Sequence, residues 1–143
     1  MTNIINHHSC GIVVYRIQDD KKLFLLLKYP QGHIDLAKGH IEENETLLEC
    51  AKRELLEETG IDDVEIIDGF FDNISYFYDQ DDQKHYKKVD FFLGKTNYQD
   101  VQISHEHTDF MWLDFPTALE TLTFENAKTL LNSAQSFLDT LED

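Results

Sequence analysis

Basic residues are scarce in this chain of 143. Only 12 Lys and Arg stand against 28 Asp and Glu, a formal net charge of −16. A face that neutralises many phosphates needs clustered Lys and Arg, so duplex nucleic acid and anionic membrane are poor candidate partners. There are only two cysteines, Cys10 and Cys50, too few and too far apart for a zinc ribbon or a disulfide framework. They are expected as buried free thiols in a reducing compartment. No segment is long enough to cross a bilayer, and Met1 to Ser9 lacks the apolar core of a signal peptide. A soluble, cytoplasmic protein is the expectation. There is no Pro/Gly/Ser-rich linker, internal repeat or low-complexity tract, so residues 1–143 are read as one domain. The residues favour neither a monomer nor a dimer.

What is present argues for a packed fold. Hydrophobic residues make up 41% of the chain and aromatics 12%, too many for disorder. Two β-rich runs, Gly11 to Tyr15 and Leu23 to Leu27, flank a turn at Gln18 to Lys21. The second run is apolar throughout, as in a strand covered on both faces. A loop is expected from Tyr29 to Glu45, broken by Pro30, Gly32 and Gly39. Thr46 to Thr59 reads as a helix with Leu48, Ala51 and Leu55 as its buried stripe and Gly60 as its stop. Further strands are expected at Val64 to Ile67, Ile74 to Tyr78, Val89 to Leu93 and Phe110 to Leu113, with Asp79 to Gln83 as an exposed turn. From Leu119 the tail is helical, with apolar residues at three- and four-residue spacing through Leu141. Strands and helices not in strict alternation give an α+β class, a mixed sheet flanked by helices.

The chemistry is concentrated between Gly39 and Ile61. Glu54, Glu57 and Glu58 stand at i, i+3 and i+4, within an arc of roughly 100° on a helix of about 3.6 residues per turn. Like charges so spaced repel, and they lie beside the apolar stripe rather than opposite it. A bound cation turns that repulsion into coordination, and carboxylate ligands without Cys or His suit Mg²⁺ or Mn²⁺ better than Zn²⁺. Such a cation would also let an acidic protein handle a polyphosphate. The competing reading of the three glutamates alone is a solvated acidic face. The flanks favour the site: Gly39 precedes Glu45 by six positions, Glu45 can reach Arg53, and Gly60-Ile61 closes the unit.

Gly39, Glu45, Arg53, Glu54, Leu55, Glu57, Glu58, Gly60 and Ile61 fill every fixed position of the Nudix box, and the chain resembles the Nudix hydrolases on that account. The resemblance implies a Nudix fold (an α/β/α sandwich ending in a C-terminal helix), a magnesium or manganese requirement, and attack by water at phosphorus in a small nucleotide-like substrate. It further implies Glu54 and Glu58 as metal ligands, Glu57 as a ligand or water-mediated contact, and the Gly39 carbonyl as a further ligand. Arg53 and Glu45 would form an orienting pair. The box does not assign the base that activates water. Glu106 is the candidate, as base or additional metal ligand, with Glu58 and Glu57 as alternatives.

Outside the box the chain is similar to the asymmetrical diadenosine tetraphosphate hydrolases. The matching pieces include Cys10 to Arg16, Lys38-Gly39-His40, Ile66 to Phe70, Ser104-His105-Glu106-His107 and Trp112-Leu113. Those enzymes give ATP and AMP. By this resemblance His33, Lys38 and Lys88 would contact phosphates, His40 would belong to the substrate site, and Tyr76 and Phe124 would stack on an adenine. Core packing is the rival for the two rings, and a strand-edge charge for Lys88. His105 and His107 are read as loop polar residues. One stretch departs: Ile34-Asp35-Leu36-Ala37 stands where the family usually has a tryptophan and two prolines, so the loop and the substrate can differ. The alternatives are a Nudix hydrolase of another nucleoside di- or triphosphate derivative, including nucleotide-pool sanitising and RNA 5′-end enzymes, and a non-catalytic Nudix-fold binding module.

Overall fold

The computed structural model describes residues 3–141. Its centre is a 15-residue strand, β1 (Ile4–Gln18). A hairpin joins it to β2 (Lys21–Lys28), and Asp19 and Asp20 at the tip have φ of 52° and 66°. Two successive left-handed residues give the turn whose twist suits a tight hairpin, and Asp tolerates that region better than most side chains.

The stretch expected as a loop holds two short strands, β3 (Ile34–Asp35) and β4 (Ala37–His40). Their backbone groups are satisfied by β2 and β1 respectively, a long-range pairing that local sequence does not announce. Helix α1 (Leu47–Thr59) follows. Its start is a capping box: the Thr46 hydroxyl accepts from the Glu49 N–H at 3.1 Å, and Glu49 accepts from the Thr46 N–H at 2.8 Å. Gly60, at φ 78°, ends it by donating to the Leu56 carbonyl.

The remaining strands are β5 (Glu65–Ile66), β6 (Asp72–Gln80), β7 (Gln83–Lys95) and β8 (Asp109–Leu113). The expected turn at 79–83 narrows to Asp81 and Asp82, again with positive φ. The helical tail is two helices, α2 (Phe115–Thr121) and α3 (Glu125–Leu141). The chain breaks at Leu122, whose side chain is buried in the core.

The eight strands of the described residues form one mixed sheet, with β1 parallel to β7 and antiparallel to β2 and β4. Strand β1 sends Cys10, Ile12 and Val14 into one core, with Leu25 and Leu27 of β2 and Cys50, Ala51 and Leu55 of α1. Val13, Tyr15, Phe24 and Leu26 point the other way, into a second core with Leu122 and Ala127, Leu130, Leu131, Ala134 and Leu138 of α3. The result is an α/β/α sandwich, and it explains the unbroken apolar run in β2. Of the expected stripe on α1, Ala51 and Leu55 are buried. Leu48 is only half-buried, and Leu47 and Cys50 pack inward instead. Both cysteines are free and buried. Among the described residues no helix is long and apolar enough to cross a membrane.

Candidate active site

Helix α1 presents Glu54, Glu57 and Glu58 to very different surroundings. The Glu58 side chain is 4% exposed, Glu54 14% and Glu57 58%. Arg53 ties the outer part together: its guanidinium donates to Glu45 at 2.5 and 3.1 Å, to Glu54 at 2.8 Å, to Glu57 at 3.2 Å and to the His40 carbonyl at 2.9 Å. These contacts hold the Glu45 carboxyl down at about 2, chiefly through the hydrogen bonds from Arg53, and push the guanidinium up. Arg53 and Glu45 thus make the pair expected from their spacing, and it locks the helix entrance to β4.

Gly39 on β4 faces Glu54 so closely that a Cβ there would overlap the Glu54 carboxyl. The irregular segment between β7 and β8 closes the other side. Gln102 and Ser104 donate their N–H groups to the Thr59 and Glu58 carbonyls at the end of α1. This brings Glu106 to the same cavity, about 320 Å³, lined also by Gly39, His40, Glu54, Glu57 and Glu58. Every residue expected to hold a metal therefore lines one cavity.

Two of these carboxyls, Glu58 and Glu54, are shifted by burial and by their neighbours' charges. Burial, then the charges of Glu54 and Glu106, push the Glu58 carboxyl up to about 9, against a smaller pull from the Lys38 N–H and ammonium. Burial also raises Glu54, against the pull of Arg53. Glu58 Oε1 is buried with no hydrogen-bond partner. In this conformation no three Asp, Glu, His or Cys side chains among the described residues converge closely enough to hold an ion, since Arg53 draws Glu54 and Glu57 to itself. A hard divalent cation nevertheless fits the donor set: oxygen ligands only, one of them buried and unpartnered, and a glycine that leaves room for Glu54.

A second cavity, about 520 Å³, opens beside the first and shares Tyr29, Lys38 and Lys87 with it. His33, Tyr76 and Phe124, read from the sequence as substrate residues, line it. Neither Tyr76 nor Phe124 belongs to either core, so the core-packing alternative fails for both. His33 stacks on Tyr29 with ring centroids 4.5 Å apart and meets Phe124 at 5.5 Å. Lys88 is the misplaced expectation. Successive residues of a strand face opposite ways, and Lys87 takes the cavity face, directly across from Tyr76. Lys88 lies on the α1 face, its ammonium 3.8 Å from Asp90. Burial, then the neighbouring Lys38 charge, lowers the Lys87 ammonium below its usual range.

His107 is not the loop polar residue it was expected to be. Its side chain is sealed from solvent, with Nε2 3.4 Å from Glu58 Oε2 and Nδ1 3.1 Å from the Ser104 hydroxyl. Tyr29 packs edge-on against its ring. His105, by contrast, is exposed. Tyr29, Asp35, Tyr78 and Asn126 also line the larger cavity without having been singled out. The alternation of β6 could have found Tyr78, two residues from Tyr76, but nothing local marks the other three.

The fold and this pairing of cavities define a class. A model of the NUDIX domain matches residues 6–132, and the chain belongs to that family of hydrolases. It is similar to the asymmetrical bis(5′-nucleosyl)-tetraphosphatase of Rattus norvegicus, 32% identical over 142 residues that span 91% of this chain and 94% of the relative. The corresponding protein of Caenorhabditis elegans is 32% identical over 133 residues, 91% of this chain and 95% of the relative. A crystal structure of a C. elegans Ap4A hydrolase binary complex superposes with a TM-score of 0.83 at 30% identity, covering 94% of this chain and 98% of that one. The E. coli dihydroneopterin triphosphate pyrophosphohydrolase shares the fold at 21% identity, with a TM-score of 0.69 over 90% of this chain and 96% of that one. The chain is thus a Nudix pyrophosphohydrolase resembling the asymmetrical Ap4A hydrolases.

Proposed function

We propose that the chain hydrolyses diadenosine tetraphosphate asymmetrically, to ATP and AMP, with Mg²⁺ or Mn²⁺. The observation that carries this reading is the joining of an aromatic cavity to a carboxylate cavity through two lysines. A stacked base in the first would leave its phosphate chain running past Lys38 and Lys87 toward the glutamates. Tyr76 and Phe124 would hold one adenine by its faces, leaving the second nucleoside loose. Lys38 and Lys87 would balance phosphate charge.

The Gly39 carbonyl, Glu54, Glu57, Glu58 and Glu106 would hold the cation, whose chemistry is to offset the phosphate charge and make water a better nucleophile. Glu106, exposed at the cavity mouth, is the candidate to accept the water's proton, with Glu58 and Glu57 as alternatives. Arg53 keeps Glu54 and Glu57 in place. The 32% identity to named tetraphosphatases over 91% of the chain supports the same substrate.

The test is a panel of dinucleoside polyphosphates, nucleoside triphosphates and nucleotide sugars with Mg²⁺ or Mn²⁺, products separated by chromatography. ATP plus AMP from the tetraphosphate is expected. Equal turnover of mononucleotides, or no turnover of the dinucleotide, would overturn the substrate while leaving the reaction class.

A further inference from the structure

Asp35 is a buried carboxylate in the wall of a cavity suited to an anion. The residue is 4% exposed. Its Oδ1 accepts from the Leu36 N–H at 2.7 Å, which fixes the carboxylate's orientation, and its Oδ2 accepts from the Lys38 ammonium at 2.8 Å. Lys38 is itself only 12% exposed and lines both cavities. Lys87, the other lysine at the junction, also feels the Asp35 charge. Among the described residues lining the aromatic cavity, Asp35 is the one carboxylate.

A phosphate arriving at Lys38 finds that ammonium already paired with an anion that cannot turn away. Bringing a second anion to a paired cation gains less than bringing it to a free one, and the two anions repel. The same pair ties the Lys38 ammonium to Asp35 where the two cavities meet. We propose that Asp35 is a positioning residue, an internal counter-anion that holds Lys38 at the junction and competes with the polyphosphate for it, so limiting how tightly the site grips phosphate. This rests on the reading that Lys38 contacts phosphate. Its consequence is easier release of a highly charged product.

The test compares wild type with Asp35→Asn, which keeps an acceptor for the Leu36 N–H and removes the charge. Inorganic tripolyphosphate, which carries charge but no base, is titrated by calorimetry with magnesium present. Binding is expected to tighten on the order of tenfold, and the gain should shrink in about 0.5 M salt. In turnover of diadenosine tetraphosphate, KM should fall while kcat does not rise. An Asp35 that merely props up β3 would lower Tm on substitution without tightening anion binding. Should Asp35→Asn not fold, Asp35→Ser can still accept from the Leu36 N–H and carries the same comparison. Unchanged or weaker tripolyphosphate binding, no binding to either protein, or a raised KM would each overturn the proposal. Because the probe has no nucleoside, a tightened tripolyphosphate beside an unhydrolysed dinucleotide removes the substrate assignment and keeps Asp35. Dinucleotide turnover without tightening does the reverse.

Discussion

Glu58 Oε2 and His107 Nε2 face each other at 3.4 Å with both side chains closed off from solvent. Burial keeps the His107 imidazole below its ordinary pKa, and its Nε2, buried without a hydrogen-bond partner, is placed to offer an N–H to Glu58 once a bound cation has ionised that carboxyl. Groups that orient a metal ligand in this way commonly matter about 10–100-fold to affinity or rate. His107→Ala is expected to weaken Mn²⁺ binding, measured by calorimetry, by a factor in that range. Unaltered affinity would make the contact mere packing.

Metal-free protein should lose stability as pH rises. Glu58 titrates at about 9 when folded, against 4.5 ordinarily. Below about pH 4.5 it is protonated in both states and costs nothing. Between about 5 and 9 the unfolded chain ionises and the folded one does not, which favours unfolding by up to about 1.4 kcal/mol per pH unit. Thermal unfolding in EDTA should show this decline, and Glu58→Gln should flatten it. Magnesium should raise Tm most at high pH in the wild type and little in the variant. A wild-type Tm that climbs from pH 6 to 8 in EDTA would contradict the assignment.

Gly39→Ala places a methyl group where the Glu54 carboxyl now lies. The atoms it meets are the end of a flexible side chain, so the fold should survive and Glu54 should move. A fall in kcat of at least about tenfold is expected, in line with displacing a metal-ligand side chain, with Tm nearly unchanged. A large loss of Tm with normal kcat in the remaining folded protein would place the constraint in the sheet.

Adjacent lysines on β7 offer a test of side. Lys87→Ala should raise KM for the polyphosphate several-fold, about the effect of losing one charge partner near a surface. Lys88→Ala, facing α1, should leave KM within about twofold, as for an exposed pair. The opposite ranking would mean that β7 presents its other face to substrate.

Much of this architecture was legible because it rests on local signals. The capping box at Thr46 and the stop at Gly60 bound α1 within a residue, and the unbroken run Leu23 to Leu27 foretold a sheet covered on both sides. The carboxylates were legible because their spacing sets their angular positions on the helix. What failed depended on partners distant in sequence. β3 and β4 exist only because β2 and β1 offer them hydrogen bonds. The choice of Lys87 over Lys88 is a matter of strand register, where a slip of one reverses the face. His107 is buried because the 96–108 segment folds back to satisfy the carbonyls at the end of α1, and no periodicity records that.

Because β1 feeds alternate side chains into two separate cores, losing Gly11 with the register before it kept would hand Ile12 and Val14 to the α3 layer and Val13 to the α1 layer at one stroke. Chain length in this protein is therefore adjustable only where alternation has already ended. The Asp19-Asp20 and Asp81-Asp82 corners are the places to splice a tag, a reporter or a longer loop without disturbing either layer.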